Sequence, residues 1–178
     1  SSAIMDDLTG LYNRAYFINS LELEIKRAVR QKYTIALTMM DIDDFKLYND
    51  RLGHLDGDML LREISQVIRL SVREVDMAVR YGGEEFAVIM PYTDRDDALK
   101  AGERVLDMIR KHPYSNSMIS RVRPVTMSAG VAVFPEDAKS VNELICRADE
   151  MLYTAKRSGK DQIRTRTFGD GIFHLRAC

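Results

Sequence analysis

Tryptophan is absent from this chain, and cysteine occurs only twice and histidine three times in 178 residues. Cys146 and Cys178 are too few for a disulfide framework, and they show no metal-ligand spacing. Read as free thiols, they suit a reducing cytosol. The scattered histidines argue against a histidine-rich metal site. No apolar run approaches the ~18–20 residues that a membrane span needs, and no signal peptide is visible. Charge of one sign is also lacking: the net charge is -1, so no global basic field points to nucleic acid or a membrane surface. Linkers, internal repeats and low-complexity tracts are missing as well. What remains is ordinary soluble composition, 46% hydrophobic and 30% charged, in a length that one domain fills most simply. The expected location is cytoplasmic. The chain begins at Ser1 rather than Met, which reads as a piece of something longer.

Periodicity predicts an order α-β-α-α-β-β-α-β-α-β. Asn13 caps a helix from Arg14 to about Arg30, with apolar residues at Tyr16, Phe17, Leu21, Ile25, Ala28 and Val29 on one face. Thr34–Ile42 is nearly continuously apolar and reads as a central strand covered on both sides. Asp43 or Asp44 caps a short helix to about Arg51. Residues 52–58 form a compact loop, and Asp56 or Asp58 caps the next helix, whose stripe is Leu60, Leu61, Ile64, Val67, Ile68 and Val72. A hairpin of 75–81 with 85–90 follows, stopped by Pro91. Asp94 to about His112 is helical, 114–121 is a loop or edge strand, and Val122–Phe134 is a strand. Ser140 caps a helix to about Arg157, closed by Ser158-Gly159, and Gln162–Thr165 is a last strand. The fold class is α/β or α+β: a mixed central sheet with one antiparallel hairpin, flanked by helices, of ferredoxin-like type. Residues 1–166 form the domain and 167–178 a mobile tail.

Arg80-Tyr81-Gly82-Gly83-Glu84-Glu85-Phe86 organises the rest. Gly82-Gly83 between two β-like runs predicts a two-residue turn with positive φ. A tip without side chains also admits another molecule close to the backbone. Glu84 and Glu85 beside that opening are costly unless a cation binds there, although a solvated acidic corner is the structural alternative. Asp41 ends the central strand, where it is either a helix cap or a buried charge in need of a partner. Asp41, the Ile42 carbonyl and Glu84 together form a hard oxygen set suited to Mg²⁺ carrying the phosphates of a nucleoside triphosphate.

The start of the 43–51 helix offers free N–H groups to phosphate, and Lys46 adds a charge. Asn49 and Asp58 bracket Gly53. They are either a helix end and a helix cap or a pair that reads guanine, whose N1–H and N2–H₂ donors suit a carboxylate. Phe45 and Leu61 could sandwich the base. Lys156 and Lys160 are either solvated at a helix end or bound to terminal phosphates.

Several motifs together resemble the GGDEF domains, the diguanylate cyclases. They are Asp6-x-Leu-Thr-Gly-Leu-x-Asn-Arg14, Asp41-Ile-Asp-Asp-Phe-Lys46 with Asn49-Asp50, Gly53-His54-x-x-Gly57-Asp58, the Gly-Gly-Glu-Glu-Phe run, and Arg147-Ala-Asp149 through Tyr153, Lys156 and Gly159. The resemblance spans about residues 4–165. It implies a nucleotide-cyclase palm that condenses two GTP into cyclic di-GMP and two pyrophosphates. It implies Mg²⁺ (or Mn²⁺) on Asp41, Ile42 and Glu84, and guanine on Asn49 and Asp58 with His54 near the substrate. Phosphates would lie on Lys46, Lys156 and Lys160, with ribose and α-phosphate over Gly82 and Gly83. Glu84 or Glu85 would help deprotonate the attacking hydroxyl. It also implies a homodimer, an upstream sensory or receiver domain, and an inhibitory product site at Arg73 and Asp76. Those two are otherwise a surface ion pair. Two features depart from the commonest pattern: Glu84 replaces Asp, and Lys160 stands where Arg is frequent. The alternative reading is a non-catalytic receptor for GTP or cyclic di-GMP. A third is another palm-type nucleotidyl transferase or cyclase acting on one nucleotide.

Overall fold

The computed structural model describes residues 3–167; most of the expected 167–178 tail lies outside them. Asn13 accepts the Tyr16 amide at 2.9 Å and starts α1 (Arg14–Gln31). Phe17, Leu21, Ile25 and Ala28 of α1 are buried, whereas Val29, expected on the same face, is exposed. β1 (Ile35–Ile42) is buried along almost its whole length, as its unbroken apolar run requires. α2 (Phe45–Leu52) and α3 (His54–Ser71) follow, then β2 (Met77–Arg80), β3 (Glu85–Pro91) and α4 (Arg95–Lys111). The chain continues through α5 (Ser117–Val122), β4 (Met127–Phe134), α6 (Val141–Arg157) and β5 (Ile163–Thr165).

The sheet order is β2-β3-β1-β4-β5. β1 pairs antiparallel with β3 and β4, β2 with β3, and β5 joins β4 in parallel. The mixed sheet flanked by helices is the expected fold, and its β1-α-β2-β3-α4-β4 core has the ferredoxin-like chain order. Alternation along β1 splits the core in two. Ala36, Met40 and Ile42 face the side covered by α2–α5, and Ile35, Leu37 and Met39 face α1 and α6. α6 lies unusually close to β4: a Cβ on Gly130 would sit 2.1 Å from the Leu152 nitrogen and 2.3 Å from the Ala148 carbonyl.

Local expectations fail in identifiable ways. Residues 117–122 are helical rather than a loop or edge strand, because Asn116 caps them through the Met118 amide at 2.9 Å. β4 then starts at Met127, after Pro124, which cannot donate to a ladder. The 52–58 loop does not exist: Gly53 (φ 91, ψ 168) breaks one helix into α2 and α3, and Asp56 and Asp58 lie inside α3 rather than capping it. Asp44 occupies the α2 N-cap position but makes no side-chain cap bond. Cys146 is disulfide-bonded, not the free thiol expected, and Cys178 lies outside the described residues. Among the described residues no helix is long and apolar enough to cross a membrane.

Candidate active site

The β1–β3 register sets Asp41 directly opposite Glu85, and the β1–β4 register sets it opposite Ser128. The Ile42 amide donates to the Glu84 carbonyl at 3.3 Å, so the hairpin loop is tied to the end of the central strand. The loop is wider than a two-residue turn. Its last paired residues are Arg80 and Phe86, and the amides of Tyr81 and Gly82 both donate to the Glu85 carbonyl, at 2.8 and 3.2 Å. Neither Gly82 nor Gly83 has a positive φ, so the turn chemistry expected of them is not what shapes it.

Arg80 shapes it instead. Its Nη2 donates to the Gly83 carbonyl at 2.8 Å and its Nε to the Gly82 carbonyl at 3.2 Å, while Nη1 reaches Asp6 at 3.3 Å. Asp6 also accepts the Thr9 hydroxyl and amide at 2.7 and 2.9 Å. Burial pushes the Asp6 carboxyl up, but the Thr9 bonds and the Arg80 charge together bring it below its usual range. The opening Asp-x-Leu-Thr motif and the hairpin are thus one structure.

Three carboxylates gather at this edge. Burial, first, and then mutual repulsion push each of them up: Glu84 and Glu85 feel Asp41, and Asp41 feels Asp43 and Asp149. Lys156 opposes the trend. Its Nζ donates to Asp41 Oδ1 at 2.7 Å, Asp43 Oδ1 at 2.9 Å and the Ile42 carbonyl at 3.3 Å. Asp43 is wholly buried and accepts the Ser128 and Thr126 hydroxyls at 2.6 and 2.7 Å and the Asp161 amide at 3.0 Å. These bonds outweigh burial and hold its carboxyl low. Lys160 pairs with Asp44 at 2.7 Å, and Arg123 pairs with the other Asp44 oxygen.

Among the described residues no three His, Cys, Asp or Glu side chains could enclose a metal by themselves. The donor set nevertheless fits magnesium, which binds one or two carboxylates and completes its shell with water and phosphate. Asp41 and the Ile42 carbonyl already converge on one cation, the Lys156 ammonium.

On the α2–α3 side, Phe45 and Leu61 belong to the core, 8% and 3% exposed. Asn49 and Asp58 are half-buried, and their side chains make no hydrogen bond or ion pair among the described residues. Gly57 makes room for Asn49: a Cβ there would lie 1.8 Å from Asn49 Oδ1. Lys46 and His54 are exposed.

Arg73 and Asp76 lie elsewhere, beside Pro91 at the far end of β3 from Glu85, about 20 Å away at strand rise. Arg73 donates to Asp76 through Nη2 at 2.8 Å and Nε at 3.1 Å, and to Thr93 Oγ1 at 2.8 Å. The Asp76 carboxylate raises the guanidinium further above its usual value. Sequence reading missed Asp6, Arg80, Asp43 and Ser128. It also missed Lys100 and Arg104, which line the same cavity as Arg73 and whose i,i+4 basic spacing on α4 was the available signal.

Comparison with known proteins shows the family and the fold. The response regulator PleD of Caulobacter vibrioides is 39% identical over 161 residues, 90% of this chain and 36% of PleD. The probable diguanylate cyclase DgcT of Escherichia coli is 36% identical over 161 residues, 90% of this chain and 35% of DgcT. The chain therefore spans about a third of the length of these curated relatives. The crystal structure of the GGDEF domain of DgcB from Caulobacter crescentus, in complex with c-di-GMP, superposes with a TM-score of 0.86 at 31% identity, covering 93% of this chain and 96% of that one. The family described as "Diguanylate cyclase, GGDEF domain" matches residues 3–162, and the chain belongs to the GGDEF diguanylate cyclase family.

Proposed function

We propose that residues 1–166 form one catalytic half of a diguanylate cyclase, which condenses two GTP into cyclic di-GMP. The observation that carries the reading is the meeting of Asp41, Glu84 and Glu85 at one end of the central strands, with the Lys156 ammonium held on Asp41 and the Ile42 carbonyl. Asn49 and Asp58, unengaged among the described residues, sit on α2 and α3.

In each half-reaction the 3′-oxygen of one GTP forms a bond to the α-phosphorus of the other. The bond from that phosphorus to the pyrophosphate oxygen breaks, and the hydroxyl proton leaves to a base. Asn49 and Asp58 hold the guanine edge beside Phe45 and Leu61, with His54 at the rim. Gly82 and Gly83 let ribose and α-phosphate lie against the hairpin. Lys46, Lys156 and Lys160 bind the phosphate charge. Asp41, the Ile42 carbonyl and Glu84 would hold Mg²⁺ or Mn²⁺, which would supply Lewis acidity at the phosphates and ease ionisation of the attacking hydroxyl. Glu84 or Glu85 receives the proton, in a half-buried acidic corner that favours uptake.

One chain presents one GTP site, so two copies must face each other, and the active species is a homodimer. Arg73 and Asp76 bind the product and inhibit, with Arg73 offering a bidentate phosphate contact. A GTP-consuming domain works in the cytoplasm. The name of PleD, a response regulator, supports control by an upstream receiver or sensory domain. Incubation with GTP and Mg²⁺ followed by chromatography of the products tests the reading. No cyclic di-GMP under enforced dimerisation would leave the chain a receptor for GTP or its cyclic dinucleotide.

A further inference from the structure

Arg123 stands at the phosphate end of the proposed site, across Asp44 from Lys160. It follows α5 directly. Asn116 caps that short helix and donates from Nδ2 to Asp56 Oδ1 of α3 at 2.8 Å. The buried Tyr48 of α2 donates its hydroxyl to the Arg123 carbonyl at 3.1 Å. The two helices that carry Asn49 and Asp58 therefore also fix where Arg123 leaves the backbone.

Its side chain belongs to a closed ring of contacts. Arg123 Nη1 pairs with Asp44 Oδ2, and Lys160 Nζ with Asp44 Oδ1 at 2.7 Å. Arg123 Nη2 donates to Thr126 Oγ1 at 3.2 Å, and Thr126 donates to the buried Asp43 at 2.7 Å. Asp43 accepts Lys156 Nζ at 2.9 Å and, at 3.0 Å, the amide of Asp161, the residue after Lys160. One network thus sets three cations beside the start of α2.

Two observations make Arg123 more than one half of an ion pair. First, Asp44 alone faces two cations, and it occupies the α2 N-cap position without a side-chain cap bond. It leaves the first-turn amides of α2 to another acceptor. Second, a guanidinium has five N–H donors. Asp44, Thr126 and the Pro124 carbonyl, which accepts Nε at 3.3 Å, engage three of them. One N–H on each terminal nitrogen is unengaged among the described residues, on a side chain that is 24% exposed.

We propose that Arg123 is a further substrate-binding residue, which clamps the terminal phosphates of the nucleoside triphosphate opposite Lys160. The inference rests on the GTP reading and deepens it. Lys160 supplies a point charge, whereas the Arg123 fork binds two oxygens of one phosphate. A triphosphate is thereby selected over a monophosphate: the guanine contacts are common to both, and only the longer chain reaches the fork.

The probes are 3′-deoxy-GTP and 3′-deoxy-GMP, which lack the attacking hydroxyl and bind without condensing. Each is titrated into the full chain with Mg²⁺ and followed by NMR, including the Arg123 Nε–H signal. That signal should move with the triphosphate and stay in place with the monophosphate. Arg123→Gln should weaken the triphosphate by about 10- to 100-fold, the range for a hydrogen bond to a charged group, and leave the monophosphate within about twofold. Arg123→Lys should recover only part of the loss, because an ammonium offers no fork. A residue that merely braces α5 would weaken both ligands alike on removal, and that result would overturn the proposal. So would an unmoved Nε–H signal in the parent, which decides alone if Arg123→Gln does not fold. A parent that does not bind 3′-deoxy-GTP would overturn the GTP reading and this inference together. A parent that binds it and makes cyclic di-GMP from GTP, with Arg123→Gln indifferent, would overturn the assignment of Arg123 only.

Discussion

Arg80 spans the hairpin loop, donating to the Gly82 and Gly83 carbonyls while Asp6 holds its other nitrogen. Removing that guanidinium frees the loop without touching a ligand. Arg80→Ala is expected to lower kcat by about 10- to 100-fold, because small misplacements of reacting groups have effects of that size. Steady-state kinetics on a folded variant checks it. The Asp6 partner has a pH signature. Its carboxyl is held below the ordinary range, so its stabilisation is complete above the unfolded value and is lost as pH falls through the folded one. Asp6→Asn should flatten the acid side of a stability-against-pH curve, measured by urea unfolding, and leave the neutral side parallel to the parent. At the proposed base-reading pair, Asp58→Asn replaces a charged acceptor. It should reduce kcat/KM for GTP by about 10- to 100-fold, the range for a lost hydrogen bond to a charged group, and narrow discrimination against ATP.

Among the elements, Gly57 and Gly130 are needed for close approach rather than for unusual backbone angles. Gly130 lets α6 settle on β4 with its backbone almost touching the strand. Gly130→Ala is expected to destabilise the fold by about 1–3 kcal/mol through overpacking, read by denaturant midpoints. The long elements were legible because their apolar periods are strong: α1, α3, α4 and α6 on 3.6, and β1 as a continuous run. The turns were less so. Gly82-Gly83 looked like a turn that needs positive φ, but the loop is shaped by an arginine from the preceding strand, and no local pattern shows which carbonyls a guanidinium will reach. The 52–58 segment looked like a loop because two aspartates mimic caps, whereas both lie within α3. The Asp41–Glu85 pairing followed only once strand order was known, since the two residues are far apart in the chain. Asp43 was read, with Asp44, as one of two candidate caps. Its burial and its four hydrogen-bond donors, Ser128, Thr126, Lys156 and Asp161, depend on β4 and on the turn after α6.

At the scale of the whole molecule, the sheet carries two charged ends. One holds Asp41 and the hairpin, and the other holds Arg73, Asp76 and the basic face of α4. β3 joins them through a buried strand, which gives a rigid path between the proposed catalytic and inhibitory regions. A single chain presents half of the proposed chemistry, so specific activity should rise with protein concentration until pairing saturates. The central claim is that the Asp41–Glu84–Glu85 edge converts GTP to cyclic di-GMP. Its most direct test measures cyclic di-GMP and pyrophosphate formed from GTP and Mg²⁺ by the parent chain, Asp41→Asn and Glu84→Gln at matched folded concentrations. Two pyrophosphates per cyclic product are expected from the parent, with loss of both products in each variant. A parent that makes no cyclic di-GMP at any concentration, or variants that keep parental turnover, would contradict it.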